Sequence, residues 1–393
     1  MKIRVLTSLY PSAVRPHEGI FAERRWSGMR QRGHDVAIAH PLPLAPLAFL
    51  GPWIGRPQWL EIARMPRAEL RQGINISRPR YAHVPGRPLA NARSFARAGI
   101  KELRADGDPD VVVLDYAWPA AASVPDLCAA KIPVLISGRG SDVLQVAQSR
   151  ELADELGAAL RRAGHWCAVS KDLVDAMDRL ASQPGRGVLV PNGVDCEWFQ
   201  PLDAKEARAR LKLQPMGVMV LVVGHLIPRK DPLLALEAFA RGTEADARIA
   251  FVGSGPLERE LRSRAQELGL GERALLVGEQ PPANLRDWYA ACDVLLLTSS
   301  REGRPNVVLE ALACGRPVVA TDAGGTAELL GGLQGSLVTL RSAQSVAAAL
   351  RAMLAHPPAP EQCRALVHGL SWEHSLDTLE HCLEQVVAKQ VPR

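Results

Sequence analysis

At 393 residues, 47% of them apolar and 23% charged, the chain is too long for one ordinary core and rich enough in apolar side chains to fill about two domains. Its net charge of +5 is uneven: residues 1–100 hold 16 Lys+Arg against 5 Asp+Glu, or +11, which leaves 31 against 37, or −6, for the remainder. No uninterrupted apolar run reaches the ~18 residues of a spanning helix, and the opening MKIRVLTSLY enters a strand instead of a signal-peptide pattern, so a cytoplasmic chain is expected.

The basic N-terminal part fits an anionic partner such as a membrane surface, a lipid phosphate or an acidic glycan, and equally a solvated basic face. No nucleic-acid-binding module accompanies the arginines, so nucleic acid is not an expected partner. Residues 1–8 read as a strand, followed by a loop, a helix that Gly33 closes, and a second strand. Gly19 lies where that loop turns into the helix. Residues 41–60 are apolar and aromatic but carry five prolines and two glycines, so they cannot span a membrane. Leu47, Phe49, Leu50, Trp53, Ile54 and Trp59 can either dip into an anionic bilayer surface or pack on their own domain. The DGDPD run at 106–110 follows a helix over 98–105 and precedes a strand over 111–114. Pro109 makes it a solvated turn before it makes it a metal site. Asp115 begins the next loop and can meet a substrate hydroxyl. After a short strand at 134–136 comes SGRGSD. There Gly138 and Gly140 admit a close backbone, Arg139 supplies charge and Asp142 an acceptor, in the place where open α/β sheets bind ligands. A further strand at 165–169 leads to a helix capped by Ser170, and PNGVD at 191–195 turns into an extended linker.

From there, strands at 218–223, 248–252 and 274–277 alternate with helices, which predicts a doubly wound parallel sheet. Gly253 and Gly255 lack the third glycine of a dinucleotide fingerprint. Lys230 stands out because only eight of the 47 basic residues are lysines and none other falls between Lys212 and Lys389. A compact point charge kept among arginines suits a phosphate. Two apolar runs, 294–297 and 317–320, bracket a loop and a helix. Pro305 suits the first helical position, Asn306, Val307 and Val308 follow, and Gly315 offers the stop. Glu302 thus precedes the helix, and Glu310 falls one turn inside. The helix start attracts an anion such as a diphosphate, whereas carboxylates accept hydrogen bonds from hydroxyls. A ligand with both phosphates and hydroxyls is a nucleotide sugar. A last helix, capped by Ser371, carries Leu376, Leu379, Leu383 and Val387 on one face. The seven cysteines follow neither a metal nor a disulfide spacing, so reduced and mostly buried thiols are expected.

The spaced glutamates, followed by ALACGRPVVAT and AGGTAE, resemble the donor-site signature of family-four retaining glycosyltransferases. The resemblance spans the chain. It implies an α/β protein of GT-B fold, with two Rossmann-like doubly wound domains facing a central cleft: an acceptor domain over 1–200, a nucleotide-sugar domain over 201–370, and a helix over 371–393 crossing back. It also implies that Glu302 contacts the transferred sugar and Glu310 the ribose. Gly303, Arg304, Pro305, Asn306 and Val307 lead onto the donor, while Gly253, Gly255, Gly278 and Glu279 line the base. Gly19, Arg139, Asp142 and Asp115 fall on the acceptor side. Lys230 and the position of His225 grip the diphosphate.

Four places depart from the family pattern. Glu18 precedes Gly19 where two glycines are usual, the Asp115 loop lacks the family histidine, Arg139 stands where a histidine is common, and His225 replaces an arginine. Neutral imidazole donates one hydrogen bond and brings no charge, so the leaving group leans on Lys230 and the helix start. Arg229 can compensate, although a surface role suits it better. The implied reaction is retaining transfer of a sugar from a nucleotide diphosphate, UDP before GDP, to a glycan or lipid-linked acceptor in cell-envelope or exopolysaccharide synthesis. It needs no metal and no cofactor beyond the nucleotide sugar. A non-hydrolysing sugar-nucleotide epimerase and a catalytically silent sugar-binding scaffold are the rivals.

Overall fold

The computed structural model describes residues 1–16, 18–44 and 58–389. Its contacts divide the chain into two units, Met1–Pro191 with Ser375–Arg393, and Asn192–His374.

The first unit holds an eight-stranded sheet of β1 (Lys2–Leu6), β2 (Asp35–Ala39), β3 (Ala68–Arg71), β4 (Ile74–Ser77), β5 (Val111–Asp115), β6 (Val134–Gly138), β7 (Trp166–Ala168) and β8 (Val188–Leu189). Their order is β8-β7-β6-β5-β1-β2-β4-β3. All neighbours run parallel except β3 against β4. That hairpin, unforeseen in the sequence, turns on Gln72 and Gly73, both with positive φ as a two-residue turn between twisted strands requires. The central strands β5 and β6 are buried along their whole length, which is why they read as continuous apolar runs. One face of the sheet packs Trp26 and Met29 of helix Ile20–Gln31 with Leu376, Leu379 and Leu383 of helix Trp372–Ala388. On that last helix Val386 is the buried valine and Val387 only partly so. On the other face Phe95 and Leu103 of helix Pro88–Leu103 meet Leu114 and Ile136. This helix begins a full ten residues before the expected start, because Pro88 opens its first turn.

The second unit holds β9 (Met219–Val223), β10 (Arg248–Val252), β11 (Ala274–Gly278), β12 (Val294–Leu297), β13 (Val318–Thr321) and β14 (Leu337–Val338). They are ordered β11-β10-β9-β12-β13-β14, all parallel. Winding starts at β9, proceeds outward to β11, then reverses to β12. Ligands of such sheets bind beyond the carboxyl ends of the strands at that reversal. In the first unit the equivalent reversal lies between β1 and β5.

The division at 191/192 falls earlier than residue 200 for a local reason. Val194 already pairs with Ser371, and Phe199 is buried edge-on against Tyr289 with ring centroids 5.9 Å apart. The linker is therefore part of the second unit. The DGDPD turn is tied to β1, with Asp110 accepting from the Lys2 N–H at 2.6 Å and Asp108 paired with Arg104. Five of the seven free thiols are buried, and burial pushes Cys292 and Cys382 up to about 12, so neither is a nucleophile near neutral pH. Among the described residues no helix is long and apolar enough to cross a membrane. Of the residues in the surface-insertion reading, Leu47, Phe49, Leu50, Trp53 and Ile54 lie outside the described residues, and Trp59 is partly buried on helix Gln58–Arg64.

Candidate active site

At the reversal of the second sheet, β9 ends in a turn over residues 224–231 that is held by its backbone. The Lys230 and Asp231 N–H groups both donate to Ile227 O, and Asp231 takes a left-handed φ of 47° while its side chain accepts from Leu234 N to cap helix Pro232–Gly242. From the end of β12, Thr298 Oγ1 donates to the carbonyls of Asp231 at 2.8 Å and Lys230 at 3.2 Å. Ser300 N donates to Arg229 O at 2.8 Å. Three successive carbonyls are thus engaged by the neighbouring loop.

Those side chains converge on Glu302. Lys230 Nζ lies 2.6 Å from Glu302 Oε1, and Arg229 Nη1 lies 3.5 Å from Oε2 while donating to Arg301 O at 2.9 Å. The Glu302 side chain is 7% exposed, Lys230 18% and Arg229 35%. Arg229 is therefore a half-buried partner of the carboxylate, not the surface residue its sequence position suggested. Gly324 seats the backbone of Glu302, since a Cβ there would fall 2.2 Å from Glu302 O. Arg304 is nearly buried, 3.8 Å from Glu328. Burial lowers its pKa from the ordinary guanidinium value, and the Glu328 carboxylate partly offsets the effect. Arg304 Nε and Arg301 Nη1 are buried without a hydrogen-bond partner among the described residues. The neighbourhood of Arg229, Lys230, Arg301 and Arg304 against Glu302 and Glu328 therefore holds surplus positive charge and unspent donors, which suits an oxyanion.

Helix Asn306–Ala313 starts beside this cluster, with Pro305 at its N-cap and no side-chain cap. Pro305 stands one place outside the helix it was expected to begin. Asn306 Oδ1 accepts from Asn192 Nδ2 at 3.0 Å, and Val307 is partly buried in the core. One turn in, Glu310 Oε2 accepts from Tyr289 Oη at 2.7 Å. Tyr289 is fully buried, and burial first, then the Glu310 charge, raises its pKa well above the ordinary phenol value, so it stays a donor. His225 is exposed in the β9 turn.

Three loops line up beside it. Gly224 N donates to Val252 O, Leu226 N to Ser254 O, Gly253 N to Gly278 O, and Ser254 Oγ to Glu279 Oε1 at 2.5 Å. A Cβ on Gly253 would fall 2.0 Å from Gly224 O and one on Gly255 2.4 Å from Leu226 O, and both have positive φ. Loop-on-loop approach thus demands both glycines, whatever they do for a ligand.

In the first unit the expected acceptor-side residues form a closed cluster. Arg139 donates to Asp115 Oδ1 from Nε at 2.7 Å and to Oδ2 from Nη2 at 2.9 Å, and Trp26 Nε1 donates to Oδ2 at 2.8 Å. The Arg139 guanidinium also lies 5.0 Å from the Phe21 ring centroid. Asp115 is fully buried with both oxygens engaged. Burial would raise its pKa, but the Arg139 charge and hydrogen bonds prevail and hold it below the ordinary carboxylate value. Asp142 accepts from the N–H groups of Arg139, Gly140 and Ala117 and so shapes the loop after β6. Gly19, with φ of 77°, starts helix Ile20–Gln31 against Leu9. Just past β2, His40 is buried, and that burial, reinforced by Arg78, pulls its pKa down to about 3.

Sequence reasoning did not find Tyr289, Trp26, or the engagement of Arg229 with Glu302. Tyr289 sits in DWYAAC, an ordinary helical stretch whose contact with Glu310 spans 21 positions. Only tertiary packing creates it.

Family models match most of the chain: Glycosyltransferase Family 4 over residues 27–198 and Glycosyl transferases group 1 over residues 203–366. The chain is 31% identical over 361 residues to TuaC of Bacillus subtilis (strain 168), provisionally named a teichuronic acid biosynthesis glycosyltransferase, covering 89% of this chain and 88% of that one. It is 32% identical to D-inositol 3-phosphate glycosyltransferase 1 of Catenulispora acidiphila over 80% and 81% of the two chains. Among solved structures, Anabaena HepE in complex with UDP superposes with a TM-score of 0.74 at 18% identity, covering 98% of this chain and 100% of that one. Sucrose-phosphate synthase from Thermosynechococcus elongatus reaches 0.79 at 21% identity, covering 99% and 100%. These likenesses show the GT-B fold, with two Rossmann-like domains.

Proposed function

The chain is a family-4 glycosyltransferase, and from that premise we propose a retaining, metal-independent enzyme that moves a sugar from a nucleotide diphosphate, UDP before GDP, onto a glycan or lipid-linked acceptor in cell-envelope or exopolysaccharide synthesis. One observation carries the reading: Lys230 and Glu302 meet at 2.6 Å where the second sheet reverses, beside the uncapped start of helix Asn306–Ala313.

As the bond from the anomeric carbon to the phosphate oxygen breaks, negative charge gathers on the departing diphosphate. The Lys230 ammonium, a ring N–H of His225 and the helix N–H groups stabilise it without an added cation. Glu302 accepts hydrogen bonds from the sugar hydroxyls, and Glu310 those of the ribose. The segment Gly303, Arg304, Pro305, Asn306 and Val307 follows the donor into the helix, and Gly253, Gly255, Gly278 and Glu279 border the base. The incoming hydroxyl passes its proton to the donor phosphate, and no side chain serves as a nucleophile. Gly19, Arg139 and Asp142 border the acceptor, with Asp115 beneath them as anchor. HepE, solved with UDP and with UDP-glucose, and TuaC, named for teichuronic acid biosynthesis, support the donor and the pathway. The +11 over residues 1–100 supports work at the cytoplasmic side of an anionic membrane surface.

A thermal-shift screen of nucleotide sugars tests the donor, since a ligand at a hundred times its Kd adds roughly 2.7 kcal/mol. The matched donor, given a lipid-linked acceptor and excess EDTA, should release nucleoside diphosphate and form a product with the donor's anomeric configuration by NMR. An isomerised nucleotide sugar with no nucleotide released would instead identify an epimerase. Binding without either product would identify a silent scaffold.

A further inference from the structure

We propose that Arg229 is a second catalytic cation, contacting the donor diphosphate together with Lys230; this deepens the reading above and rests on it. The first support is convergence. Adjacent residues in an extended chain point apart, yet here the turn from Ile227 to Asp231 folds back so that Arg229 and Lys230 reach the two oxygens of one carboxylate, at 3.5 Å and 2.6 Å. The carbonyls of Arg229, Lys230 and Asp231 are each held by Ser300 or Thr298, so the turn's backbone is fixed and the two cationic side chains are its adjustable parts.

The second support is charge. Lys230 and Glu302 in contact sum to zero, so that pair alone adds no net charge against a diphosphate that gains negative charge as it departs. Arg229 brings the trio to +1. It is also the most exposed of the three, 35% against 18% for Lys230 and 7% for Glu302, so its guanidinium can reach a ligand arriving from solvent. Its tether, one N–H to the Arg301 carbonyl at 2.9 Å, leaves further N–H groups of the fork for phosphate oxygens. When Glu302 turns to the sugar hydroxyls, both cations are released toward the same phosphates.

The test compares nucleoside diphosphate with monophosphate on the full chain, using UDP against UMP and GDP against GMP by calorimetry. The monophosphate also reports that each variant is folded. Arg229→Met should lose at least tenfold of the wild-type preference for diphosphate over monophosphate and at least thirtyfold in turnover, with monophosphate affinity within twofold. Arg229→Lys should recover part of both. Arg259→Met, an exposed arginine on helix Glu258–Glu267, should change neither. If Arg229→Met keeps the diphosphate preference within twofold of wild type, Arg229 does not contact the diphosphate and the inference fails while the proposed function stands. If the wild type itself prefers neither diphosphate to its monophosphate, the reading of the whole site fails with it.

Discussion

Two like sheets each place an acid and a base at the carboxyl ends of their strands near the reversal, and the two pairs have opposite characters. Asp115 and Arg139 are 2% and 3% exposed, joined by two parallel hydrogen bonds, with Trp26 filling the remaining demand. Glu302 is nearly as buried, but its two oxygens answer to two different cations, one of them a third exposed. A buried bidentate pair keeps two donors locked on its own carboxylate, and its desolvation is offset only while both partners stay. A carboxylate shared between partly exposed cations can exchange either for a substrate hydroxyl at little cost. Burial and partner geometry, not the presence of an ion pair, therefore separate the closed pair from the open one.

The largest expected effect tests the anchor. Asp115→Ala strands the Arg139 charge and should cost about 3–5 kcal/mol in urea unfolding, while Asp115→Ala with Arg139→Met should regain most of it. A loss below about 1 kcal/mol would erase the contrast. Next, Lys230→Ala should lower turnover by on the order of a hundredfold, roughly 3 kcal/mol, with unfolding free energy nearly unchanged. A fall of less than about threefold would remove Lys230 from the chemistry. Tyr289→Phe sharpens the comparison within the second unit, because it deletes a hydrogen bond to a charged group worth about 1.5–3 kcal/mol. Nucleotide Kd should rise at least about tenfold while turnover on saturating donor holds. Equal losses in both would mean that Tyr289 supports packing alone.

The last test concerns His40, another buried group of the first unit. Its folded pKa, about 3, lies below the ordinary 6.5, so between these values the unfolded chain binds a proton that the folded chain does not. Stability is therefore lost as pH falls from about 6.5 toward 3. His40→Gln should flatten the dependence of unfolding free energy on pH between about 4 and 6 by up to roughly 1.4 kcal/mol per pH unit. An unchanged slope would mean the ring titrates normally.

The alternation of strand and helix, the strand positions of the second unit and the Glu302 to Glu310 spacing were legible because they depend on local pattern: buried parallel strands demand unbroken apolar runs, and a helix start demands a loop and a stop. Lys230 stood out through its rarity among arginines, and its meeting with Glu302 was not visible in the sequence. The partners of Asp115 and Arg229 were not legible, because a side chain's freedom depends on what packing brings to it. Asp115 read as a loop acid open to substrate, and the fold closed it beneath Arg139 and Trp26. Arg229 read as surface, and the turn at Asp231 swung it onto Glu302.

By itself, then, the sequence determined the fold class, since periodicity and spacing act within a few turns of chain. Only the tertiary structure decided which charges are spent and which are held in reserve. Tyr289 and Glu310 are 21 positions apart, Lys230 and Glu302 are 72. No local pattern encodes a distance that appears only when parallel strands are laid side by side.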